Sequence, residues 1–476
     1  MNKNWRRREF LGAAAGGICA LGLGCAGPAR RREPGLPLVS PGCWSSRVKV
    51  AKIYLGIPNA HWPTPLMNLE EEVRRYEDAF SRMAPAFADV DFVVNTLVTK
   101  KEQVAGLKEA VLGADGVLAI HLSMGITEML KELLAFKKPT MLYAAPYSGH
   151  EWTRFGAIRN GPGGELLECV LTSDLEELAR AVRPFRAIHH LREGKILDLT
   201  TRTLSADYLK AISDRFGTRI QVLELPRMLA AYEAVDAGEA EKEARTWTRE
   251  ALEVVEPGPE EIFRSCRLAL AFERVMTEEK ATALTVDCYG TMYRKLPAFP
   301  CVGFVRLNDL GLSGICEADL ASAMTQLILQ GLSGRPGFIS DPTMDESQRA
   351  IILAHCLGSR RMDGPGGPAA PYRLRTIMER QEGCVPQVRM RAGQRVTQAI
   401  LAGTDQIRYF TGRILEAPFL ERGCRTKIVV RLDGDPVKLW HNWSHGLHRV
   451  TCYGDLVRDL ERFCRFTGLK LVNEAV

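Results

Sequence analysis

The fold is decided at VKVAKIYLG (residues 48–56), LEEEVRRYEDAFSRMAPAF (69–87) and VDFVVNTLV (90–98). The first and third runs are short and rich in β-branched residues, and the second is longer, with the spacing of an amphipathic helix. Strand, helix and strand in this order predict a βαβ unit and therefore a parallel sheet. The alternation continues as far as the glycine-rich loop RNGPGGEL (159–166), so we predict a doubly wound, Rossmann-like α/β domain over residues 47–172.

A second alternating block begins after this loop. KILDLT (195–200) and RIQVLEL (219–225) have the pattern of strands and are separated by a helical run, which predicts a second α/β domain over residues 173–335. Strand signals such as QRVTQAILAG (394–403) then dominate and predict a smaller domain over residues 336–476. We therefore expect an α/β fold class: two doubly wound parallel-sheet (Rossmann-like) domains followed by a smaller β-rich C-terminal domain.

Composition and motifs argue against two classes of function. The chain has 476 residues, 46% of them apolar, and a net charge of +6, which is small for this length. No basic stripe interleaved with aromatic residues is present, so we expect no nucleic-acid partner. The loop after the first strand, YLGIPNAHW (54–62), has one glycine where a dinucleotide-binding fingerprint needs three. The sequence therefore does not predict a nucleotide-binding protein.

Residues 1–46 read as a targeting segment and linker. Arg7 and Arg8 precede a short Ala/Gly-rich apolar run, an arrangement that resembles a twin-arginine export signal. The run is shorter than the roughly 20 residues that span a bilayer, so we expect no stable transmembrane span in the mature protein. The sequence predicts export to the periplasm, with Cys25 as a candidate lipid anchor, or a cytoplasmic protein if the signal is not used.

The thirteen cysteines are scattered singly, and no two of them form a CxxC pair. Cys266, Cys288, Cys356 and Cys464 lie inside apolar runs, where free cysteine behaves as a small hydrophobic residue. A protein that folds before export by the twin-arginine route keeps such thiols reduced. We therefore predict free, buried cysteines rather than a disulfide framework or a zinc finger.

The segment GICEADL (314–320) contains two acidic residues with different expected environments. If the helix that follows includes this segment, Glu317 lies on its apolar stripe with Leu320 and Met324, whereas Asp319 is a solvated first-turn charge. Glu317 is then either a charge that interacts with the helix dipole or the ligand of a cation, because a buried carboxylate needs a partner.

Asp341 follows the apolar run 337–339, which is predicted to be a strand that ends at Asp341 before Pro342. Two interpretations are open. The carboxylate either begins a turn before the proline or lies at the carboxyl end of a sheet strand, where α/β proteins bind ligands.

Four histidines are candidates for the same site. His441, His445 and His448 lie in HNWSHGLHRV (441–450), and we expect at least one of them to be a metal ligand. His355 ends a predicted buried strand and is either a core histidine or a substrate contact. Glu, Asp and His together supply two oxygens and one nitrogen, a set that suits Mn²⁺, Mg²⁺ or Co²⁺ better than a thiolate-preferring zinc site.

At these residues the chain resembles the L-fucose isomerase and L-arabinose isomerase superfamily, and in particular its divergent L-fucose isomerase-like members. Glu317 and Asp341 are 24 positions apart, close to the spacing of that family's metal-binding acids. The closing stretch WSHGLHRVTCYGDLVRDLERFCRFTGLKLVN (443–473) is similar to the family's C-terminal end, where the metal-binding histidine precedes a glycine. The resemblance therefore points to His445 among the three histidines.

The resemblance implies a metal-dependent aldose–ketose isomerase, an intramolecular oxidoreductase that interconverts a deoxy or pentose sugar through an enediolate. Glu317, Asp341 and His445 would bind Mn²⁺, or alternatively Mg²⁺ or Co²⁺, and the two acids would act as catalytic base and acid. It also implies a homo-oligomer, a trimer or hexamer, in which loops such as Asn59–Trp62 and Tyr147–Trp152 contact substrate or remain plain surface. The alternatives are an inactive carbohydrate-binding homologue and another metal-assisted carbohydrate lyase, epimerase or hydrolase.

Overall fold

The computed structural model describes residues 46–476. The paired arginines Arg7 and Arg8 and the candidate lipid site Cys25 lie outside the described residues. Within the described part, no helix is long and apolar enough to cross a membrane.

The N-terminal part of the described chain alternates strands and helices around one sheet. Its elements are β1 (Val48–Leu55), α1 (Leu69–Arg82), β2 (Val90–Val98), α2 (Lys101–Ala105), α3 (Lys108–Leu112), β3 (Gly116–His121), α4 (Thr127–Leu134), β4 (Thr140–Ala144), α5 (Trp152–Asn160) and β5 (Leu167–Leu171). The five strands are parallel, in the order β2-β1-β3-β4-β5. Along β1, Ala51, Ile53 and Leu55 pack into one core and Val50 and Tyr54 into another, so both faces of this doubly wound sheet are covered.

A second parallel sheet follows. The elements of this part are α6 (Glu177–Ala181), α7 (Arg183–Glu193), β6 (Lys195–Leu199), α8 (Ala206–Phe216), β7 (Arg219–Val222), α9 (Leu225–Glu233), α10 (Ala237–Glu250), β8 (Glu253–Val254), α11 (Pro259–Glu278), β9 (Ala283–Val286), α12 (Cys301–Asp309), β10 (Ser313–Cys316) and α13 (Leu320–Ser333). The strand order is β10-β9-β6-β7. β10 is an edge strand of this sheet, and its carboxyl end leads directly to Glu317.

The C-terminal part is rich in strands. Its elements are β11 (Phe338–Asp345), β12 (Ala350–His355), β13 (Tyr372–Arg375), β14 (Val385–Val388), β15 (Arg395–Ala402), β16 (Gln406–Glu416), β17 (Thr426–Leu432), α14 (Pro436–Asn442), β18 (Arg449–Tyr453), α15 (Val457–Thr467) and β19 (Lys470–Asn473). Six strands form a closed barrel in the order β15-β18-β11-β12-β17-β16, because β16 pairs again with β15. β19 adds to β16, and β13 joins β14 and β8 in a small separate sheet.

The fold class expected from the sequence is confirmed: two parallel-sheet α/β parts precede a β-rich part. The prediction of free cysteines is also confirmed within the described residues, where ten cysteines are free and eight of these are buried. The barrel lies next to the second sheet, since Phe338 of β11 and Val286 of β9 belong to one hydrophobic core. This packing brings the barrel strands β11, β12 and β18 to the carboxyl end of β10.

Candidate metal centre

Glu317 lies in a strained turn between β10 and α13. Glu317 and Ala318 have φ angles of 65° and 54°, in the left-handed region that residues other than glycine rarely adopt. The N–H of Ala318 donates to the Val286 carbonyl over 3.0 Å, which anchors the turn to β9. The helix begins at Leu320, so the expectation that Glu317 lies on its apolar stripe is wrong. The turn, and not helical periodicity, directs the carboxylate inward.

Asp319 is the N-cap of α13 and not a solvated first-turn charge. Its Oδ1 accepts from the Ser322 N–H at 3.0 Å and its Oδ2 from the Ser322 hydroxyl at 2.6 Å, the usual way to satisfy a free N–H at a helix start. Oδ2 also accepts from Nδ1 of His448 at 2.9 Å. This second bond links α13 to the loop before β18.

Asp341 lies inside β11, opposite Ala354 of β12. The strand continues through Pro342 to Asp345, so the expected strand end at Asp341 is wrong. The side chain reaches the same place as Glu317. His448 Nε2 is 3.2 Å from Asp341 Oδ1 and 3.7 Å from Glu317 Oε2.

His355 completes the group of side chains. It is the last residue of β12, and its side chain is 1% exposed. Its Nε2 lies 3.7 Å from Glu317 Oε1, and its ring centroid lies 5.3 Å from that of His448. His355 is therefore buried, as expected of a core histidine, and its ring lies beside Glu317 and His448.

Four buried polar atoms in this group have no hydrogen-bond partner: Asp341 Oδ1, His448 Nε2, and both ring nitrogens of His355. The contact between Asp341 and His448 is close enough for an ion pair but lacks hydrogen-bond geometry. One donor atom from each of Asp341, His355 and His448 lies within 4.8 Å of the others. Metal bonds of about 2.0–2.3 Å place neighbouring ligands about 3–4.5 Å apart, so these residues fit a metal ion.

The side chains of this group shift one another's pKa values. Burial raises the pKa of Glu317. Burial acts in the same direction on Asp341, but the close contact with His448 and the charges of His355 and His448 keep the pKa of Asp341 below its ordinary value. Burial would lower the pKa of His448, yet Asp319 and Asp341 raise it to about 10. Burial lowers the pKa of His355 to about 4. Without a cation, His448 is an imidazolium and His355 is neutral.

The structure brings Glu317 and Asp341 together with His448 and not with His445. His445 is exposed, and in the described part of the chain no hydrogen bond or ion pair joins it to either acid. It has a φ of 59° and precedes Gly446, which has a φ of 109°, so these two residues form a turn. His441, at the end of α14, is exposed and contacts the ring of Trp440.

The sequence analysis favoured His445 over His448, the histidine that lies beside the two acids, and it did not single out Asp319 as the partner of His448. A signal for His448 was present, because it directly precedes the strand run RVTCY (449–453), all of which is buried. A residue at the end of a loop that enters a buried strand is better placed to point inward than one in a glycine turn. No local signal marked Asp319, because its bond to His448 spans 129 positions.

The two polar loops after the strands of the first sheet meet each other. The rings of Trp62 and His150 have centroids 4.0 Å apart. Among the described residues, no hydrogen bond, ion pair or ring contact joins these loops to Glu317 or Asp341. Their role as substrate contacts stays a prediction.

Comparisons with known proteins find partial similarity. No family model matches the chain. Over 208 residues it is 26% identical to a protein named sulfoquinovose isomerase from Clostridium sp. (strain MSTE9), covering 41% of this chain and 44% of that protein. Over 147 residues it is 24% identical to a protein of the same name from Alkalicoccus urumqiensis, covering 30% and 33%. The chain thus matches less than half the length of these curated relatives, and over that part it is similar to isomerases of a sugar.

Proposed function

We propose that this protein is a metal-dependent aldose–ketose isomerase. The observation that carries the proposal is the arrangement of Asp319, His448 and Asp341. Asp319 holds Nδ1 of the imidazole, and Nε2 faces Asp341 without forming a hydrogen bond. A carboxylate that fixes one ring nitrogen is the usual partner of a metal-binding histidine. The partial similarity to two proteins named sulfoquinovose isomerase supports the same class of reaction.

Asp341, His355 and His448, whose donor atoms lie within 4.8 Å of one another, would hold a divalent cation together with the adjacent Glu317. The cation is Mn²⁺ in the first place, with Mg²⁺ or Co²⁺ as alternatives, because carboxylates and imidazoles are donors that such ions accept. His448 takes the place that the sequence assigned to His445. When bound, the cation acts as a Lewis acid on the oxygens at C1 and C2 of an open-chain sugar and stabilises the charge of the enediolate.

The two acids divide the proton transfer. Their environments move the two pKa values apart, which is the usual sign of an acid and base pair. Asp341, with the lowered pKa, stays ionised and would remove the proton from C2 of the aldose. Glu317, with the raised pKa, would deliver a proton to C1, and the hydroxyl proton of O2 would pass to O1, which completes the ketose. In the reverse direction the two roles are exchanged.

The proposed substrate is an aldose that opens to a free carbonyl, in the deoxy or pentose class. The name of the two relatives adds a specific candidate. Sulfoquinovose is a glucose with a sulfonate in place of the C6 hydroxyl, and it is therefore a deoxy sugar.

We also propose a homo-oligomer and export through the N-terminal segment. A reporter that fluoresces only after folded export, fused to residues 1–46, tests the export.

The test uses protein stripped of metal and reloaded with Mn²⁺, Mg²⁺ or Co²⁺, incubated with L-fucose, L-arabinose and sulfoquinovose. We expect ketose to form only in the loaded protein. Glu317→Gln is expected to lower the turnover about 10²–10⁴-fold, the range for loss of a general acid. Glu346→Gln, at an exposed position in the turn that follows β11, is the matched control. Sugar binding without conversion would favour an inactive carbohydrate-binding protein, and cleavage or epimer products would favour the other metal-assisted reactions.

A further inference from the structure

A second group of possible metal ligands lies at the end of the barrel strands β12 and β17. Cys356 follows the last residue of β12, and Cys424 precedes the start of β17, to which β12 is paired. Glu379 reaches them from the loop between β13 and β14. One donor atom from each of these three residues lies within 4.8 Å of the others. None of the three belongs to the metal centre of Glu317, Asp341 and His448.

The carboxylate of Glu379 is held toward the thiols. Its Oε1 accepts from the Cys424 thiol at 3.3 Å, and its Oε2 accepts from the Tyr289 hydroxyl at 3.2 Å. The Tyr289 oxygen also lies 3.9 Å from the Cys356 sulfur. Among the described residues, Glu379 forms no ion pair with a lysine, arginine or histidine. The acid therefore points at two thiols with no cation to balance it.

We propose that Cys356, Cys424 and Glu379 form a second metal site, which takes Zn²⁺. Two sulfur donors and one oxygen form a borderline-soft set of ligands. Such a set prefers Zn²⁺ to hard cations such as Mg²⁺ or Mn²⁺. Zinc bonds of about 2.3 Å to sulfur and 2.0–2.2 Å to oxygen place tetrahedral ligands about 3.4–3.8 Å apart. The Cys424 sulfur and the Glu379 oxygen are 3.3 Å apart and all three donor atoms lie within 4.8 Å of one another, so small side-chain movements would give this geometry.

The exposure of the three residues suits the loading of a metal. Cys356 is buried, Cys424 is half-buried and Glu379 is exposed, so a cation can reach the thiols from solvent. Three protein ligands leave one tetrahedral position open for water. The hydrogen bond from Tyr289 orients the carboxylate, as partners of metal ligands usually do. Ordinary buried cysteines such as Cys464 have no carboxylate directed at them.

Cobalt spectroscopy tests the proposal separately from the isomerase activity. The full chain is reduced, stripped of metal and titrated with Co²⁺. We expect an intense near-ultraviolet thiolate-to-cobalt band that saturates by two equivalents, because the first centre also takes Co²⁺, and that is lost when Zn²⁺ is added. Cys424→Ser is expected to abolish the band, and Cys169→Ser, at another half-buried free cysteine, to leave it unchanged. A titration without the band, or a band that persists in Cys424→Ser, overturns the proposal.

Two further variants keep the test decisive. Glu379→Gln changes an exposed side chain and should fold even if Cys424→Ser does not, and it is expected to weaken Zn²⁺ binding at least tenfold. Unchanged Zn²⁺ affinity in Glu379→Gln would also contradict the site. His448→Asn removes a ligand of the other centre and should keep the band. The second site therefore stands or falls independently of the proposed isomerase.

Discussion

His448 is held on one side by Asp319 and faces Asp341 on the other. Nδ1 lies 2.9 Å from Asp319 Oδ2, and Nε2 lies 3.2 Å from Asp341 Oδ1. Asp319 belongs to the start of α13, Asp341 to β11 and His448 to the loop before β18. The imidazole thus connects the second sheet to the barrel, and its free nitrogen lies where Glu317 and Asp341 converge.

Asp319→Asn is expected to weaken metal binding about 10–100-fold, the usual effect of losing the partner of a metal-binding histidine. Asparagine caps a helix as well as aspartate does, but the variant loses the ion pair with His448, so the melting temperature of the metal-free protein should fall. The variant should also flatten the pH dependence of metal affinity, because the pKa of His448 depends on Asp319. Competition with a metal-binding dye measures both effects. Asp236→Asn, at the N-cap of α10, is the matched control, and equal affinities in both variants would remove Asp319 from the site.

Metal affinity should rise with pH. Without metal the pKa of His448 is raised to about 10, because Asp319 and Asp341 outweigh the effect of burial. A metal ion needs the unprotonated Nε2, so below pH 10 each bound ion displaces one proton. The apparent affinity should therefore increase about tenfold for each pH unit between pH 6 and 9. Calorimetric titration in buffers of different ionisation enthalpy counts the released proton, and affinity that is flat over this range would contradict the assignment of His448.

The two histidines of the C-terminal loop should respond differently to the same substitution. His448→Asn is expected to abolish binding of Mn²⁺ at the centre, whereas His445→Asn should leave it unchanged. Asparagine is chosen because it tolerates the left-handed backbone of His445, which has a φ of 59°. Metal content after dialysis against a limiting Mn²⁺ concentration distinguishes the two. Loss of metal in His445→Asn would restore the assignment made from the sequence.

What the sequence could predict follows from the range of the interactions. The strands of the parallel sheets and of the barrel could be predicted because short runs of β-branched and apolar residues mark them locally in the sequence. Glu317 could be singled out because a carboxylate beside an apolar run needs a partner. The left-handed turn at residues 317 and 318 could not be predicted, because neither residue is a glycine.

The choice of histidine depended on a contact that no local pattern contains. His445 precedes a glycine, which matches the resemblance, but Gly446 forms the turn that leaves His445 in solvent. His448, two residues after Gly446, points inward and directly precedes β18. Barrel closure between β15 and β16 and the Asp319–His448 bond are tertiary events, so a sequence pattern could indicate the donors without choosing among them.

Ala318→Gly should stabilise the protein. Ala318 has a φ of 54°, and a left-handed residue other than glycine costs about 1–2 kcal/mol. Part of this is offset by the greater backbone entropy of glycine when unfolded, so we expect a gain of up to about 1 kcal/mol in the free energy of unfolding. Ala321→Gly, inside α13, is the control and should lose about 0.5–1 kcal/mol. Denaturant unfolding measures both, and destabilisation by Ala318→Gly would argue against strain in this turn.

Glu474→Gln should destabilise both the fold and the metal centre. The carboxylate of Glu474 is fully buried and accepts from Arg449 at 2.7 and 2.9 Å and from Arg408 at 2.9 Å. Arg449 also donates to the carbonyls of His448 and Ser444 at 2.8 and 2.9 Å, which fixes the loop that carries the proposed metal ligand His448. Removing the charge leaves two guanidinium groups under-compensated, and breaking a buried pair costs about 3–5 kcal/mol.

Metal affinity should fall in the same variant, because the backbone of His448 loses the support of Arg449. The control is Glu461→Gln, whose partner Arg458 is 84% exposed and lies 3.2 Å away. A surface pair of this kind contributes about 0–1 kcal/mol, so this variant should match the parent protein in both measurements. Chemical denaturation gives the free energy of unfolding, and dye competition gives the metal affinity. A destabilised Glu474→Gln protein that still binds Mn²⁺ normally would show that Asp319 alone is sufficient to position His448.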